Sequence, residues 1–547
     1  MILEKISVRG YLGIRSMDLP LDRVNAFIGE NGWGKSSLFN LLSRVFGDGP
    51  VPCRFTAADF YIDEDTGESL GEMQFRFSFR ERRPGQARRA QCLAAFDRYW
   101  IRGAPGDCAR IIYGISAVRG RRGIQVRHCF YTAAGTPMKT SRRDIIRFVS
   151  LNPVFRIRDS RMDRGSGPIP WRNEWERKIA VLARKLSEQD TELPGIDRST
   201  LEEGLEALSF LAGSYIPDLR EPRSSRGRSA RDIASRPLSL VGMGTLQSLM
   251  HNATRTMKLI LVVFQDALLK ARGGRRIPRI CFPILILTDL ESRLHPSYLM
   301  MFISMLEQVG VQKLIATNSG DLLSCLGLAD VRRMSRDPRG CVSCRSMNER
   351  LFSTDDIRRL TSHVRLTRPV SLFARVWLLV EGETEIWLIL QLAALAGRNL
   401  QGEGIRLIEF AQCGAGPLIA LARQFGISWH LLCDGDDAGA RYAATAAAML
   451  SPGQQLSRHL TRLPEADIEH YLYVTGFEGV YRRESGYGDT QGVPVNKIIE
   501  RAVHRRSKPG LAINVVEAAD RMGPEGIPPL LMDMFRILEE LSGDPEL

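Results

Sequence analysis

The sequence predicts an α/β protein of two domains, and two observations carry this prediction. Near the start, VNAFIGENGWGKSSLFNLL at 24–42 places an apolar strand, a glycine-rich loop and a helix in that order. From about residue 370, apolar strands alternate with helical stretches, as in a parallel sheet covered by helices. A chain of 547 residues is also too long for a single hydrophobic core. We therefore expect a first domain over 1–368 and a second over 369–547.

The composition is that of an ordinary globular protein, with 44% hydrophobic residues, 25% charged residues and a mean hydropathy of -0.14. The first residues, MILEKISVRG, lack the features of a signal peptide, and no apolar run is long enough to span a bilayer. We expect a cytoplasmic protein with no membrane contact. Ten dispersed cysteines do not form a disulfide framework.

The formal charge is +13, and the excess is concentrated in two segments. Residues 80–127 hold twelve arginines against three acidic residues, and 220–236 is a second basic segment. Because basic patches bind polyphosphates by releasing counterions, DNA is the expected partner. A solvated surface is the alternative reading of the same charges.

The first half contains candidate strands separated by helical stretches. Strands are predicted at 2–8, 24–29, 72–80, 284–288 and 313–317, and helices near 171–189, 238–270 and 296–309. We expect a helical insertion at about 165–235, which either supplies a dimer contact or packs within the chain. In the second half, strands are predicted at 376–380, 405–410 and 428–434, with helices beginning near 383, 417 and 437.

The loop after the strand at 24–29 matches the phosphate-binding pattern G-x-x-x-x-G-K-[ST] in full. Its glycines let backbone N–H groups surround the phosphates, its lysine reaches the β- and γ-phosphates, and its serine hydroxyl binds magnesium at a helix N-terminus. ATP is the expected cofactor. The predicted nucleotide-binding residues here are Gly29, Asn31, Gly32, Gly34, Lys35, Ser36 and Ser37, with Ser36 also a metal ligand.

The Asn-Gly of this loop resembles the RecF, SMC and ABC-type branch of phosphate-loop ATPases. That resemblance implies a site completed by a second subunit, through a serine- and glycine-rich signature that opens a helix. SLVGMGTLQSL at 239–249 offers Ser239, Gly242, Gly244 and Gln247, although a plain glycine-rich helix entry fits as well. The branch usually carries a switch histidine where ATNSGDLL has Asn318, which cannot carry a proton as imidazole can.

Residues 284–296, ILILTDLESRLHP, resemble the metal-binding strand of these ATPases but depart from its pattern. Set against the family pattern, Thr288 takes the place of the first acid, Asp289 that of the catalytic carboxylate and Leu290 that of a proline. A neutral hydroxyl holds magnesium only weakly. The hypothesis is therefore that nucleotide binding outweighs turnover.

Acidic residues follow two consecutive strands of the second half. Glu381 ends VWLLVE and Glu385 lies one turn into the next helix, while Asp434 and Asp436 end SWHLLCDGD. Strand-end carboxylates in a parallel sheet converge at one edge, where they can share Mg²⁺ or Mn²⁺. Such acids also occur as solvated caps or helix N-caps. Together and in this order, they closely resemble a Toprim domain.

An ABC/RecF-type ATPase domain followed by a Toprim domain resembles the OLD (overcoming lysogenization defect) family of ATP-linked nucleases, along essentially the whole chain. The resemblance implies metal-dependent nicking or cleavage of DNA, a homodimer formed through the ATPase domain and, for some members, phage defence with a possible neighbouring defence protein. It also implies a third acidic segment with Asp467 and Glu469, and a lysine segment with Lys508. Without it, Asp467 reads as a helix N-cap and Lys508 as a surface residue.

The main reading gives each residue a role. Glu381, Asp434, Asp436, Lys508 and Asp289 are the expected catalytic residues, and Glu385, Asp467 and Glu469 are further metal ligands. Three alternatives stay open: a RecF- or SMC-like repair ATPase, a Toprim topoisomerase or primase, and a nucleotide-controlled scaffold without enzyme activity.

Overall fold

The computed structural model describes most of the chain. The described residues are 1–157 apart from 48–50, 64–65, 105 and 122, then 174–188, 199–200, 202–204, 281–292, 299–300, 302–303, 306 and 311–543. They form two compact units: Met1–Leu326 with Asp330–Cys344, and Gly327–Ala329 with Arg345–Leu547. None of the helices within these ranges has the length and apolar character needed to cross a membrane.

The first unit is built on a mixed sheet of eleven strands, in the order β6-β5-β4-β1-β2-β11-β10-β3-β9-β8-β7. The strands are β1 Ile2–Tyr11, β2 Ile14–Pro20, β3 Val24–Ile28, β4 Glu72–Arg80, β5 Arg110–Gly120, β6 Gly123–Tyr131, β7 Val154–Ile157, β8 Ile284–Thr288, β9 Gln312–Ala316, β10 Val331–Arg336 and β11 Cys341–Arg345. Described helices of eight or more residues are Lys35–Phe46, Arg142–Leu151 and Glu174–Glu188.

One part of this sheet is antiparallel and another part is parallel. Strand β4 alternates buried and outward residues, and it pairs antiparallel with β1 and β5 as expected for a half-buried strand. Strands β3, β9, β8 and β7 are parallel neighbours, and β8 and β9 are buried along their whole length. This parallel part brings the ends of β3, β8 and β9 to one edge.

Aromatic side chains hold the core of the first unit against the helix Lys35–Phe46. Phe46 packs edge-on against Phe77 at 5.1 Å and Phe79 at 5.7 Å between ring centroids. Phe39 contacts Phe27 of β3 at 5.6 Å. Burial of these rings fixes the helix, and with it the loop that precedes the helix, to the sheet.

The second unit has a parallel sheet of four strands in the order β13-β12-β14-β15. They are β12 Val376–Val380, β13 Ile405–Glu409, β14 Ser428–Cys433 and β15 Leu460–Arg462. Its described α-helices are Thr354–Leu360, Glu383–Leu395, Ala415–Phe425, Asp437–Ala448, Ile468–Leu472, Glu478–Ser485, Val495–Arg506, Lys508–Met522 and Pro529–Ser542. Strand β12 is completely buried because helices cover both faces of the sheet.

The fold class predicted from the sequence is confirmed: the chain is α/β, and a large mixed sheet is followed by a smaller parallel sheet. The predicted strands at 24–29, 72–80, 284–288, 313–317, 376–380, 405–410 and 428–434 agree with observed strands to within one residue or two. The predicted strand at 2–8 lies within β1, whereas the sequence did not predict the β5–β6 hairpin or strands β2, β7, β10, β11 and β15. The predicted helix at 238–270, the basic segment at 220–236 and most of the insertion at 165–235 lie outside the described residues.

Candidate functional site

The phosphate-binding loop lies between β3 and the helix Lys35–Phe46, as its sequence predicts. Gly29, Gly32 and Gly34 have φ values of 144°, 89° and 90°, a region that side chains disfavour. A Cβ on Gly29 would stand 2.7 Å from the carbonyl oxygen of Met334. The loop therefore requires glycine at these positions to expose its backbone N–H groups, while Asn31 and Ser36 remain exposed and Ser37 is half-buried.

Lys35 folds back over this loop. Its Nζ donates to the carbonyl oxygens of Gly29 and, at 3.0 Å, of Glu30. Burial lowers the pKa of Lys35, while the carboxylates of Glu30 and Asp289 act in the opposite direction. The ammonium thus stands where a phosphate could replace the two carbonyl oxygens as its partner.

The end of β8 places Thr288 and Asp289 in different surroundings. Thr288 is buried, and its hydroxyl donates to the carbonyl oxygen of Ile157 at 3.3 Å. Asp289 is exposed and has a left-handed φ of 56°. Its negative charge acts to raise the pKa of Lys35. The structure therefore brings the carboxylate of Asp289 to the phosphate loop, while the Thr288 hydroxyl is bonded to the neighbouring strand.

Glu291 is a residue that the sequence analysis did not place in the site. Its Oε1 accepts hydrogen bonds from the Thr317 hydroxyl at 2.9 Å and from the backbone N–H of Asn318 at 3.0 Å. These bonds tie the end of β8 to the loop after β9, where a switch residue is expected. The acidic residue two positions after Asp289 was a signal in the sequence, but only the fold supplies its partner.

In the second unit, the predicted acidic residues follow the ends of adjacent strands. Glu381 follows β12, and Asp434 and Asp436 follow β14, which is the parallel neighbour of β12. The shared register brings these carboxyl groups to one edge of the sheet. These carboxyl groups also interact electrostatically. The charge of Asp436 raises the pKa of Glu381, and the charge of Glu381 raises the pKa of Asp434.

Two glycines and an arginine shape the loop after β14. A Cβ on Gly435 would stand 2.2 Å from the carbonyl oxygen of Glu465, and one on Gly439 would stand 1.9 Å from that of Asp434. Arg462 donates to the carbonyl oxygens of Gly435 at 2.6 Å and Asp436 at 3.2 Å. The loop is thus held against the strand that follows it, which sets the position of its carboxylates.

Three of the predicted metal ligands accept hydrogen bonds from backbone N–H groups. Glu385 accepts from Gly382 at 2.8 Å, Asp436 from Gly439 at 2.7 Å and Asp467 from His470 at 2.8 Å. The helix N-cap reading of Asp467 is therefore correct as a local role, and it leaves carboxylate lone pairs for other partners.

Lys508 lies beside the third acidic segment. Its Nζ is 2.9 Å from Oε1 of Glu469, whose side chain is buried. Burial opposes the charge of Lys508, but the bond to Glu469 and the nearby carboxylates of Glu385 and Asp467 raise its pKa overall. Among the residues described, Oε2 of Glu469 is buried without a hydrogen-bond partner.

The carboxyl groups of this cluster repel one another. Burial raises the pKa of Asp434 to about 7, and the charges of Glu381, Glu385, Asp467 and Glu469 add to that rise. Burial also raises the pKa of Glu381, with Glu385 and Asp436 as further causes. A divalent cation would relieve this repulsion, and an all-carboxylate donor set suits Mg²⁺ or Mn²⁺. As it stands, no group of three or more His, Cys, Asp or Glu side chains in the described ranges is arranged to hold a metal ion.

We expect Asp434→Asn to stabilise the metal-free protein at alkaline pH. Folding raises the pKa of Asp434 from 3.8 to about 7. Between pH 3.8 and about pH 7, the folded state therefore holds a proton on Asp434 that the unfolded state has lost. The free energy of unfolding falls as pH rises through this window. Because asparagine does not ionise, Asp434→Asn removes this fall in the free energy of unfolding. We put the fall at about 1–2 kcal/mol after discounting for solvent screening. Thermal unfolding in EDTA at pH 4 and pH 8 measures it.

In this experiment the stability gain should be close to zero at pH 4 and complete at pH 8. Asp437→Asn is the matched control, because Asp437 is exposed in the same segment. An equal gain at both pH values would contradict the assignment of the effect to Asp434 ionisation.

The arginine-rich segment at 80–127 is partly neutralised by ion pairs. Arg98 pairs with Asp144, Arg102 with Asp97, and Arg110 with Glu4 at 2.7 Å. Much of the segment forms the β5–β6 hairpin at the sheet edge. DNA binding by this segment stays a prediction.

Some predicted site residues cannot be placed. Ser239, Gly242, Gly244 and Gln247 of the candidate signature lie outside the described residues, and so does the second basic segment at 220–236. Asn318 is described, and it is exposed after β9.

Comparison with protein families divides the chain into two parts. The family model described as protein of unknown function (DUF2813) matches residues 1–371. A second model, described as overcoming lysogenization defect protein-like, TOPRIM domain, matches residues 372–436. The chain is also 35% identical over 557 residues to the uncharacterized protein YbjD of Escherichia coli (strain K12), covering 98% of each chain.

Two solved structures illustrate more distant likenesses. The SMC head domain from Thermotoga maritima has 15% identity and a TM-score of 0.32, covering 64% of this chain and 100% of that chain. The C-terminal region of the Xanthomonas campestris pv. campestris OLD protein has 16% identity and a TM-score of 0.27, covering 31% of this chain and 97% of that chain.

Proposed function

Because this chain belongs to the family described as protein of unknown function (DUF2813) and continues into an OLD-like Toprim domain, we propose that it is a metal-dependent DNA endonuclease controlled by nucleotide binding. The observation that carries the proposal is the carboxylate cluster at the ends of β12 and β14. Asp434 is its most perturbed member, and Lys508 lies at its border through Glu469.

The cluster is suited to a reaction at a phosphodiester. Glu381, Glu385, Asp434 and Asp436 would hold Mg²⁺ or Mn²⁺, with Asp467 and Glu469 beside them. Such ions, when bound, activate water and stabilise a leaving 3′-oxygen. The backbone bonds to Glu385, Asp436 and Asp467 hold these carboxylates in place before a cation arrives. Lys508 would neutralise charge that develops on the phosphate.

The first unit would serve as a nucleotide-controlled switch. Its phosphate loop supports ATP binding, and Ser36 would contribute a metal ligand there. The buried and bonded hydroxyl of Thr288 supports slow hydrolysis, because it replaces the carboxylate that would hold magnesium. Glu291 is hydrogen-bonded to Thr317 and Asn318. A nucleotide bound at the phosphate loop would therefore affect the ends of both β8 and β9.

DNA is the proposed substrate, bound in part by the basic segments. A homodimer formed through the ATPase domain would complete the nucleotide site from both copies. Phage defence or DNA maintenance, with or without a neighbouring defence protein, is the proposed setting.

Incubation of supercoiled plasmid with the full-length protein tests this function. We expect relaxed circles with Mn²⁺ or Mg²⁺, no nicking in EDTA, and a change in rate when ATP is added. Absence of nicking with both metals, with and without ATP, would overturn the proposal and favour a scaffold without enzyme activity.

A further inference from the structure

A polar cavity lies at the opposite end of the Toprim sheet from the carboxylate cluster. Its volume is about 920 Å³, and it is lined by residues that include Arg345, Arg423, Arg458 and Trp429. Trp429 lies near the start of β14, whereas Asp434 follows the end of this strand. At about 3.3 Å per residue, roughly 16 Å of strand separates the two. The cavity is therefore a separate feature from the proposed cleavage site.

The charge of this cavity has one sign. Three arginines line it, and none of the lining residues in the described ranges is an aspartate or glutamate. Arg345 lies across the backbone of Gly426, where an added Cβ would stand 2.5 Å from its Nη1. Gly426 has a left-handed φ of 66° at the end of the helix Ala415–Phe425, so the chain leaves space there for the guanidinium. Arginine side chains that line a cavity without acidic residues favour the binding of a phosphate or carboxylate.

Two glutamine side chains that line the cavity already use their oxygens as hydrogen-bond acceptors. The side-chain oxygen of Gln424 accepts from the backbone N–H of Asn348, and that of Gln454 accepts from Ser451 at 2.8 Å. These bonds assign the oxygen of each amide and leave its NH₂ group as the donor. A ligand rich in acceptor oxygens would match such a lining.

The floor of the cavity contains a buried indole. Trp429 is 1% exposed, and within the described part of the chain its Nε1 has no hydrogen-bond partner. His459, which also lines the cavity, packs against this ring: the ring centroids are 4.6 Å apart, and Nδ1 of His459 is 2.8 Å from the Trp429 carbonyl oxygen. A buried N–H without an acceptor is costly, so a ligand oxygen at this position would be stabilising.

We propose that this cavity binds a 5′-phosphorylated nucleoside, with its phosphate at Arg345, Arg423 and Arg458. The volume lies in the range of small-molecule sites and fits a nucleotide rather than a bare phosphate. Leu351 and Met449, which also line the cavity, provide apolar surface for a base. The ligand is either a free nucleotide or the phosphorylated end of a DNA strand.

Calorimetric titration of the full-length Lys35→Ala variant tests this proposal, because the variant weakens nucleotide binding at the phosphate loop. The probes are AMP, a 5′-phosphorylated octanucleotide and the same octanucleotide without phosphate. We expect saturable binding of a phosphorylated probe. Arg345→Gln and Arg423→Gln, each added to Lys35→Ala, should weaken it at least about tenfold, as expected for loss of a charged contact. Tighter binding of AMP identifies a free nucleotide, and tighter binding of the phosphorylated octanucleotide identifies a strand end.

Arg521→Gln is the matched control, because Arg521 is exposed in the second unit and pairs with Glu517. It should leave binding unchanged. The proposal is overturned if neither phosphorylated probe binds, if AMP fails to bind and the two octanucleotides bind equally well, or if both cavity variants bind the phosphorylated probes as tightly as the control. Because binding is measured without DNA cleavage, the outcome is independent of the proposed nuclease activity.

Discussion

Replacement of Asp434 by alanine is expected to reduce plasmid nicking at least about 100-fold, because it removes the central carboxylate of the cluster. Asp434 interacts electrostatically with Glu381, Glu385, Asp467 and Glu469, so its loss changes the whole site. Glu381→Ala should have a similar effect. The measurement is the rate at which supercoiled plasmid becomes relaxed with Mn²⁺.

Asp437→Ala provides the control for these variants, because Asp437 is exposed and lies beside the cluster in sequence. It should nick at a rate close to that of the unmodified protein. ATP binding should also survive in all three variants, which separates a catalytic defect from unfolding. Undiminished nicking by both Asp434→Ala and Glu381→Ala would show that the cluster is not the cleavage site.

Lys35→Ala is expected to weaken ATP binding by roughly 10- to 100-fold, the loss that follows from removing one charged hydrogen-bonding group. The unmodified protein should bind ATP yet turn it over well below the typical enzyme rate of about 10 per second. Asp289→Ala should lower the remaining turnover further, because Asp289 is the carboxylate that acts on Lys35. Binding is measured by calorimetry, and turnover by phosphate release.

Glu72→Ala, an exposed change on β4, is the control for the nucleotide measurements. A turnover near 10 per second would contradict the view that the nucleotide acts as a switch. Unchanged turnover in Asp289→Ala would instead show that hydrolysis uses another residue, and Glu291 at the same strand end would be the next to replace.

Much of the parallel framework could be predicted because its signals are local. The apolar strand, glycine loop and helix at 24–42 are consecutive in sequence, and so are the strands that precede Glu381 and Asp434. Antiparallel and edge strands were harder to recognise. Strand β6, for example, is buried only near its end and carries a weak alternation, so its position follows from pairing with β5.

The sequence by itself determined which chemical groups are present and the order in which they occur: a complete phosphate loop, the loss of a carboxylate at Thr288, and acids after two parallel strands. Only the tertiary structure decided how these groups act. It buried the Thr288 hydroxyl against Ile157, linked Glu291 to Asn318, and paired Lys508 with Glu469. It also raised the pKa of Asp434 to about 7. The physical reason is that burial and electrostatic interaction depend on neighbours in space, and those neighbours are far apart along the chain.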